Sequence, residues 1–312
     1  MRYTLILLCI PFIAFALEFK VATYNVENLF DLHYDGQEYE EYIPHNKHQW
    51  NEQNFQKKIA NLALVIKDLD ADILALEEVE NEKVLQTLNH ALGNKAYPYL
   101  FYPTKKERSS IESALLSRFP ITQTSSTMIK DQTRGIHHLS VLVDGKILGL
   151  YLNHWPAYKE KVEERILYAT TLNTMIKKNP KEEYILLGDF NAPYKIEKDD
   201  WGMALVHVLK AGDKDAVLYN LWYELPENKR YSHAFGKKKS TLDQMIIPKT
   251  LSDKQGIDYK SDSFSVFEKD YMLDEKGNPK RWQISEKGRG EHQGVGFSDH
   301  LPLSAIFQTS PF

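Results

Sequence analysis

Apolar residues along the chain follow two different spacings. Between residues 55 and 69 they recur every three or four positions, as on one face of a helix, and residues 162–176 form a second long helical pattern. Short β-type runs lie between and after these segments, at residues 19–24, 73–76, 113–116, 141–143, 147–152, 184–187, 244–247 and 301–307. The alternation predicts an α/β protein whose helices cover the faces of sheets.

Two segments interrupt this alternation, at residues 201–235 and 252–297. The second is rich in Lys, Asp, Glu and Gly, which predicts long loops near a site. No internal repeat, low-complexity tract or Pro/Gly/Ser linker divides the chain. A chain of this length can bury one large core, so we expect a single domain over residues 17–312, and a monomer.

The first 16 residues have the pattern of a secretory signal peptide. Met1-Arg2 provides a short positive region, residues 5–15 are almost all apolar, and Ala14 and Ala16 are small residues at the cleavage position. We expect cleavage after Ala16 and a secreted or periplasmic protein; a buried N-terminal strand is the alternative. The only cysteine, Cys9, would leave with this segment, so the mature chain would have no disulfide. No stretch has the roughly 20 apolar residues of a membrane span, so we expect no stable membrane insertion.

The formal net charge of −4 is unusual for a protein that binds polyanions through its overall charge. A phosphate substrate would therefore need local basic patches or a bound cation. The candidate patches are residues 105–108, 237–239 and 281–289, and for each of them a solvated surface loop is the alternative.

Polar side chains recur at the ends of the predicted strands, where ligand sites of α/β proteins tend to lie. If the strands are neighbours, these groups converge; they are Asn25, Glu27, Glu77, Glu78, His154, Asp189 and Asn191 after strands, and Asp243, Asp299 and His300 before strands. Carboxylates, amides and imidazoles without thiolates favour Mg²⁺ or Mn²⁺. Such an ion would stabilise negative charge on a phosphoryl group, and imidazole could transfer protons.

Each of these residues also has a structural interpretation when it is taken alone. Asp189 and Asn191 could form an Asx turn after a strand, and Asn25 could be a turn residue of the same kind. His154 beside Trp155-Pro156 could be a packed histidine at a sheet edge, His300 could be a hydrogen-bonding residue at a strand entry, and Glu77-Glu78 could be solvated.

Seven segments resemble, in the same order, the motifs of the deoxyribonuclease I-like, or endonuclease/exonuclease/phosphatase, superfamily. They are FKVATYNVENLF from Phe19, LALEEVEN from Leu74, LLSRFPI from Leu115, LYLNHWPA from Leu150, ILLGDFNAP from Ile185, STLDQMI from Ser240 and FSDHLPL from Phe297. The resemblance extends over residues 19–303. It implies a four-layer α/β sandwich, in which two packed mixed β-sheets have helices on their outer faces.

The resemblance also implies a divalent metal site. Glu78 resembles the metal-binding Glu of the superfamily, with Asn25 and Glu27 as neighbouring ligands or phosphate-site groups and Asp299 as a further metal-site group. The expected ion is Mg²⁺, with Mn²⁺ and Ca²⁺ as alternatives.

The remaining motif residues correspond to catalytic groups of the superfamily. His154 matches the histidine that contacts the scissile phosphate, and Asp189 and Asn191 resemble the pair that orients the attacking water and stabilises the pentacovalent phosphorus. His300 resembles the second histidine, with Asp243 as its orienting carboxylate. Whether Asp189 or His300 accepts the proton of the water stays open. Arg118 is predicted to be a structural or phosphate-side arginine, and Arg165 to line the groove.

The expected activity is hydrolysis of DNA, with RNA as an alternative, by in-line attack of water on the scissile phosphate. The NHWPA segment and the following helix with Arg165 look most like bacterial secreted nucleases. A sphingomyelinase-like or inositol-phosphate phosphoesterase is a second possibility, and a catalytically inactive binding module is a third. The intact set of motif residues argues against the inactive module. Glu77 stands where many members have Gln, and His233 where an aromatic residue often occurs, so both departures bear on the substrate.

Overall fold

The computed structural model describes residues 16–104, 109–158, 160–236 and 238–310. Of the predicted signal peptide, residues 1–15 with Cys9 lie outside the described residues. The basic segment 105–108 and Lys237 of the second basic patch also lie outside them. Within the described parts of the chain, no helix combines the length and the apolar character that a bilayer crossing requires.

Regular elements alternate along the chain much as the hydrophobic pattern predicts. The helices are α1 (Glu52–Leu69), α2 (Glu82–Ala91), α3 (Val162–Ile176) and the short α4 (Ser285–Gly288). The strands are β1 (Glu18–Leu29), β2 (Ile73–Val79), β3 (Tyr99–Phe101), β4 (Glu112–Ser117), β5 (Ile121–Met128), β6 (Gly135–Val143), β7 (Lys146–His154), β8 (Tyr184–Asp189), β9 (Ala211–Gly212), β10 (Leu218–Asn220), β11 (His233–Phe235), β12 (Lys238–Ser240), β13 (Asp243–Pro248), β14 (Ile257–Tyr259), β15 (Ser265–Val266) and β16 (Leu303–Thr309).

The strands form two large mixed sheets and one small hairpin. The first sheet has the order β14-β16-β1-β2-β4-β3, with β15 also paired to β16, and the second has the order β5-β6-β7-β8-β13-β10-β9. In the centre of each sheet two strands run parallel, β1 with β2 and β7 with β8. Strands β11 and β12 form a separate hairpin, and an isolated β-bridge joins His233 of β11 to His300.

Alternate side chains of the central strands supply two different cores. In β1, Phe19 and Val21 point between the sheets and pack with Leu150 and Ile185 of the second sheet. The next residues in alternation, such as Ala22, face α1 and α2, whereas the outer face of the second sheet packs on α3. This two-residue period explains four layers, with helices outside both sheets, and it confirms the predicted α/β sandwich.

The helices begin and end where the local sequence provides caps. The side chain of Asn51 accepts a hydrogen bond from the Asn54 backbone N–H at the start of α1, and Asp70 ends the helix in the left-handed conformation. Helix α3 has the predicted bounds. Most strands extend beyond their predicted ends, because the polar site residues themselves continue the strand pairing.

The segment 252–297 was predicted to form long loops, and this is only partly correct. It contains β14, β15 and α4, and its side chains Met272 and Trp282 are buried in the core between the first sheet and α1. Because the segment is mostly polar, its composition did not predict that these two side chains would be buried.

Candidate active site

Three strands of the second sheet bring His154, Asp189 and Asp243 side by side. His154 is paired with Asp189 in the parallel register of β7 and β8, and Asp189 is paired with Asp243 in the antiparallel register of β8 and β13. Gly188 makes this approach possible, because its φ is +125° and a Cβ atom there would lie 2.1 Å from the carbonyl oxygen of Asn153. All three side chains are buried.

The first sheet contributes Asn25 and Glu78 from the ends of β1 and β2. Pairing of β1 with β2 is regular as far as Asn25 and Glu77 and then shifts register, and Glu78 has a φ of +67°. Such a bulge redirects the side chains that follow it. Glu77 is therefore fully buried and accepts hydrogen bonds from Thr23 Oγ1 at 3.0 and 3.1 Å, whereas Glu78 lines an open cleft.

Asn25 links the two sheets within the site. Its Nδ2 donates hydrogen bonds of 3.1 Å to Glu78 Oε1 and to Asp189 Oδ2. The backbone N–H of Asn28 donates to the second Glu78 oxygen at 2.8 Å. Asn191 follows in an Asx turn, with its backbone N–H 2.8 Å from Asp189 Oδ1 and its side-chain Nδ2 3.2 Å from Asp189 Oδ2. The turn that could have explained Asp189 and Asn191 structurally is thus present, and it points both side chains into the cleft.

His300 and Asp243 meet although they are far apart in sequence. The Nδ1 of His300 lies 2.7 Å from Oδ2 of Asp243, which also accepts a hydrogen bond of 2.5 Å from Ser232 Oγ. Burial disfavours the charged imidazole, but the charge and hydrogen bond of Asp243 outweigh it, and the pKa of His300 lies well above its usual value.

The second histidine has the opposite character. Burial, helped by the positive charges of Arg134 and His300, lowers the pKa of His154 well below its usual value. Its Nε2 lies 3.8 Å from Glu78 Oε1 and 3.9 Å from Asp189 Oδ2, beyond hydrogen-bond length. The site therefore holds one neutral and one cationic imidazole at neutral pH.

Asp299 lies at the rim of this group, and Glu27 lies beside it with its carboxylate bound elsewhere. Asp299 is within 3.9 Å of His300, 3.7 Å of His233 and 3.8 Å of Arg281. Burial opposes ionisation of Asp299, but interaction with His233 and the positive charges of His300 and Arg281 hold its pKa below the usual value. The Glu27 carboxylate accepts hydrogen bonds from Arg281 at 2.9 and 2.6 Å and from the Trp282 backbone N–H at 2.9 Å. The geometry does not bring it to Glu78, because the bulge after Asn25 turns it toward the 252–297 segment.

The two arginines predicted from the sequence do not face the cleft. Arg118 forms ion pairs with Asp70 at 2.5 Å and Asp72 at 2.8 Å, beside the start of β2, at the edge opposite the site. Of the two roles predicted for it, the structural one therefore fits. Arg165 is buried and donates to the carbonyl oxygens of Pro156 and Tyr158 at 3.1 and 2.6 Å, so it shapes the loop behind the cleft.

The cleft has a volume of about 840 Å³ and contains cationic side chains, of which Lys238 belongs to the predicted basic patch 237–239 whereas Arg134 and Lys161 were missed by the sequence analysis. Arg134, Lys161 and Lys238 line it together with Glu78, His154, Asp189, Asn191, Asp299 and His300. Arg134 precedes β6, which is antiparallel to β7, so it lies at the same edge as the end of β7. That strand pairing was the missing signal, because no local motif marks Arg134.

The donor set at the centre of the cleft fits a hard divalent cation. Asp189, Asp243 and His300 lie close enough together to share an ion, as do His233, Asp299 and His300. Burial, followed by the negative charge of Asp243, raises the pKa of Asp189 to about 7, and a bound cation would offset the second of these causes. Carboxylate oxygens are ligands that Mg²⁺ prefers, and Glu78 and Asp189 offer them on either side of Asn25. Asn25, predicted as a metal ligand, instead presents Nδ2 to both carboxylates, while its Oδ1 accepts a hydrogen bond from the Glu27 backbone N–H at 3.0 Å.

The chain belongs to the endonuclease/exonuclease/phosphatase family, whose model matches residues 20–308. Similar solved structures include a humanized TDP2 of D. rerio, with a TM-score of 0.63 and 14% identity over 94% of this chain and 99% of that one. D. rerio TDP2 complexed with single strand DNA product gives a TM-score of 0.62 and 15% identity, with 94% and 99% covered. A family protein from Bacteroides thetaiotaomicron gives 0.58 and 14%, with 96% and 100% covered. Comparison with curated protein sequences finds no match.

Proposed function

We propose that the protein is a divalent-metal-dependent phosphodiesterase that hydrolyses nucleic acids, with DNA as the first candidate. The observation that carries the proposal is the convergence of Asn25, Glu78, His154, Asp189 and the His300–Asp243 pair at one cleft. Cationic Arg134, Lys161 and Lys238 on the same cleft would attract a phosphodiester backbone. The DNA product in the D. rerio TDP2 structure supports nucleic acid over the lipid and inositol alternatives.

The side chains divide the chemistry of in-line hydrolysis between them. A divalent ion held by Glu78 and its carboxylate neighbours would stabilise negative charge on the phosphoryl oxygens. Asp189, whose pKa is raised to about 7 by burial and by Asp243, can accept the proton of an attacking water. The side chain of Asn191 donates to Asp189 Oδ2 and to the Trp155 carbonyl oxygen, so Asn191 would orient the Asp189 carboxylate toward the attacking water. Neutral His154 can hydrogen-bond the phosphate through Nε2, while the His300 imidazolium can neutralise it or protonate the leaving oxygen.

The test is an assay of the purified protein on plasmid DNA, RNA, sphingomyelin and an inositol polyphosphate, each with and without Mg²⁺. We expect nucleic-acid cleavage that EDTA abolishes and that Mg²⁺ or Mn²⁺ restores. Hydrolysis that persists in excess chelator would exclude the metal-dependent mechanism. Turnover of only sphingomyelin or inositol polyphosphate would reassign the substrate, and binding without turnover would indicate a non-catalytic module.

We further propose that the protein is exported. The support is the signal-peptide pattern of residues 1–16. N-terminal sequencing of the exported protein should begin at or near Leu17, and a soluble cytoplasmic form that retains Met1 would contradict export.

A further inference from the structure

The two most exposed large apolar side chains of the described residues lie on the same cleft. Phe235 and Tyr158 are each 73% exposed, and both line the cleft with His154 and Asp189. Neither ring belongs to a hydrophobic cluster. Single exposed apolar residues are ordinary, but two such rings around one polar site indicate a binding surface.

The hairpin of β11 and β12 holds Phe235 in a defined position. Its pairing places Phe235 opposite Lys238 and His233 opposite Ser240, and side chains two residues apart share a face, so His233, Phe235 and Lys238 all line the cleft. The hairpin is anchored just before it begins. The Ser232 carbonyl accepts a hydrogen bond of 2.7 Å from the Leu301 backbone N–H, next to His300, and Ser232 Oγ donates to Asp243.

Tyr158 is held in the loop that follows β7. Its carbonyl oxygen accepts a hydrogen bond of 2.6 Å from Arg165, which also binds the Pro156 carbonyl. Strand β8 lies between β7 and β13 in the second sheet, so this loop and the hairpin preceding β13 flank Asp189 at the end of β8. The two rings therefore border the catalytic centre from two sides.

Cationic side chains line the same cleft as the two rings. Arg134, Lys161 and Lys238 all line it, and the Lys161 backbone N–H donates to the Tyr158 carbonyl oxygen at 3.1 Å. Lys238 lies opposite Phe235 in the hairpin, 3.6 Å from Glu197 and 4.1 Å from the Trp201 ring. A groove that combines aromatic and cationic groups is the means by which proteins bind single strands, since the rings stack on bases and the cations contact phosphates. A lipid surface would instead require a continuous apolar patch, which the interleaved charges interrupt.

We propose that Phe235 and Tyr158 stack on the bases that flank the scissile phosphate, so that the substrate is unpaired, single-stranded nucleic acid. This inference rests on the proposed nucleic-acid activity. In a duplex each base face is already covered by its neighbours, so neither ring could stack without first separating stacked base pairs, which costs a few kcal/mol per step.

The experiment measures kcat/KM on three substrates with one cleavable linkage each, the other linkages being phosphorothioates. They are a single-stranded oligonucleotide, its duplex, and the same single strand without the two bases that flank the cleavable linkage. The variants are Phe235→Ala, Phe235→Trp and Tyr158→Ala. Tyr34→Ala is the matched control, because Tyr34 is 57% exposed and does not line the cleft.

We expect the wild type to prefer the single strand to the duplex. Stacking contributes about 1–3 kcal/mol per base, so each alanine variant should lose about 5- to 150-fold in kcat/KM on the single strand, mainly through KM. The substrate without flanking bases should be cut equally by wild type and variants. Phe235→Trp should retain activity, and Tyr34→Ala should match the wild type.

The outcomes separate this inference from the proposed function. Cleavage of nucleic acid without loss in either alanine variant, or an equal loss on the substrate without flanking bases, overturns stacking and leaves the phosphodiesterase activity standing. If the wild type cleaves none of the oligonucleotides, the proposed function fails and this inference fails with it. A loss in Phe235→Ala that is confined to sphingomyelin vesicles would assign the rings to a lipid surface instead.

Discussion

His300 and Asp243 form a buried pair in which Nδ1 of the ring faces a carboxylate oxygen at 2.7 Å. The pair joins the two sheets, because Asp243 begins β13 of the second sheet and His300 precedes β16 of the first. The other Asp243 oxygen is buried without a hydrogen-bond partner among the described residues. The charge of Asp243 helps to raise the pKa of His300, of Asp189 and of Glu77.

The pair should behave as one catalytic unit. His300→Ala and Asp243→Asn should each lower kcat by about 10²- to 10⁴-fold, as loss of a general acid or base does, with a smaller effect on KM. The double variant should be little worse than the more damaging single one. The measurement is a double-mutant cycle on kcat, with circular dichroism to verify folding. Fully multiplicative losses, or a near-wild-type Asp243→Asn, would show that the residues act independently.

Glu78→Gln should impair metal binding more than proton transfer. The substitution keeps the size of the side chain but removes the charge that would hold a divalent ion, so saturation should require at least about tenfold more Mg²⁺. Metal titrations of activity and calorimetric binding of Mn²⁺ would both measure the shift. Glu82→Gln, at the start of α2, is the control with the same chemistry. An unchanged metal requirement in Glu78→Gln would remove Glu78 from the ligand set.

Arg134 and Arg118 should respond differently to truncation. Arg134 lines the cleft, so Arg134→Ala should lower kcat/KM on nucleic acid by about tenfold or more, the value of a charge-assisted phosphate contact. Arg118→Ala removes only partly exposed ion pairs at the opposite edge, worth about 0–1 kcal/mol, and should leave kcat/KM unchanged. Steady-state kinetics and urea unfolding of both variants would check this. Equal activity losses would contradict the opposite placements.

His292 should make the stability of the fold depend on pH. Trp282 Nε1 donates to His292 Nδ1 at 2.7 Å and the ring Nε2 donates to the Glu41 carbonyl at 2.8 Å, so only the neutral ring satisfies both bonds. Burial lowers the pKa of His292 from 6.5 to about 4. Between these values the unfolded chain binds more protons, so this contribution is complete above pH 6.5 and declines as pH falls toward 4.

The check is urea unfolding of wild type and His292→Gln from pH 7.5 to 4. Gln can accept and donate the same two hydrogen bonds without titrating, so the variant should lack a slope of up to about 1.4 kcal/mol per pH unit in that window. Parallel pH profiles for the two proteins would contradict the assignment.

Much of the fold and of the site could be predicted from the sequence, because the spacing of apolar residues and the order of the motifs can both be read along the chain. The polar site residues of β1, β2, β7 and β8 were grouped from the sequence, before it was known which strands pair with one another. Arg118 was harder to place, because β4 runs antiparallel to β2 and its end lies beside Ile73 rather than beside Glu78. Arg134 was missed because β6 runs antiparallel to β7, so the start of β6 lies beside the end of β7. Glu27 was misplaced because the bulge after Asn25 redirects its side chain, and the hydrophobic pattern does not predict a bulge. Each of these depends on strand direction or register, which is set by tertiary pairing.

Asn25 and Glu78 belong to one sheet, and His154, Asp189 and Asp243 belong to the other, so the hydrogen bond from Asn25 to Asp189 crosses the space between them. A folding intermediate that had formed both sheets without docking them would have native-like circular dichroism. Its site residues would still be divided between two separate sheets, so the active site would be incomplete. Turnover should consequently appear last during refolding, after the strands have formed, and it would serve as a reporter of inter-sheet docking that spectroscopy of secondary structure cannot provide.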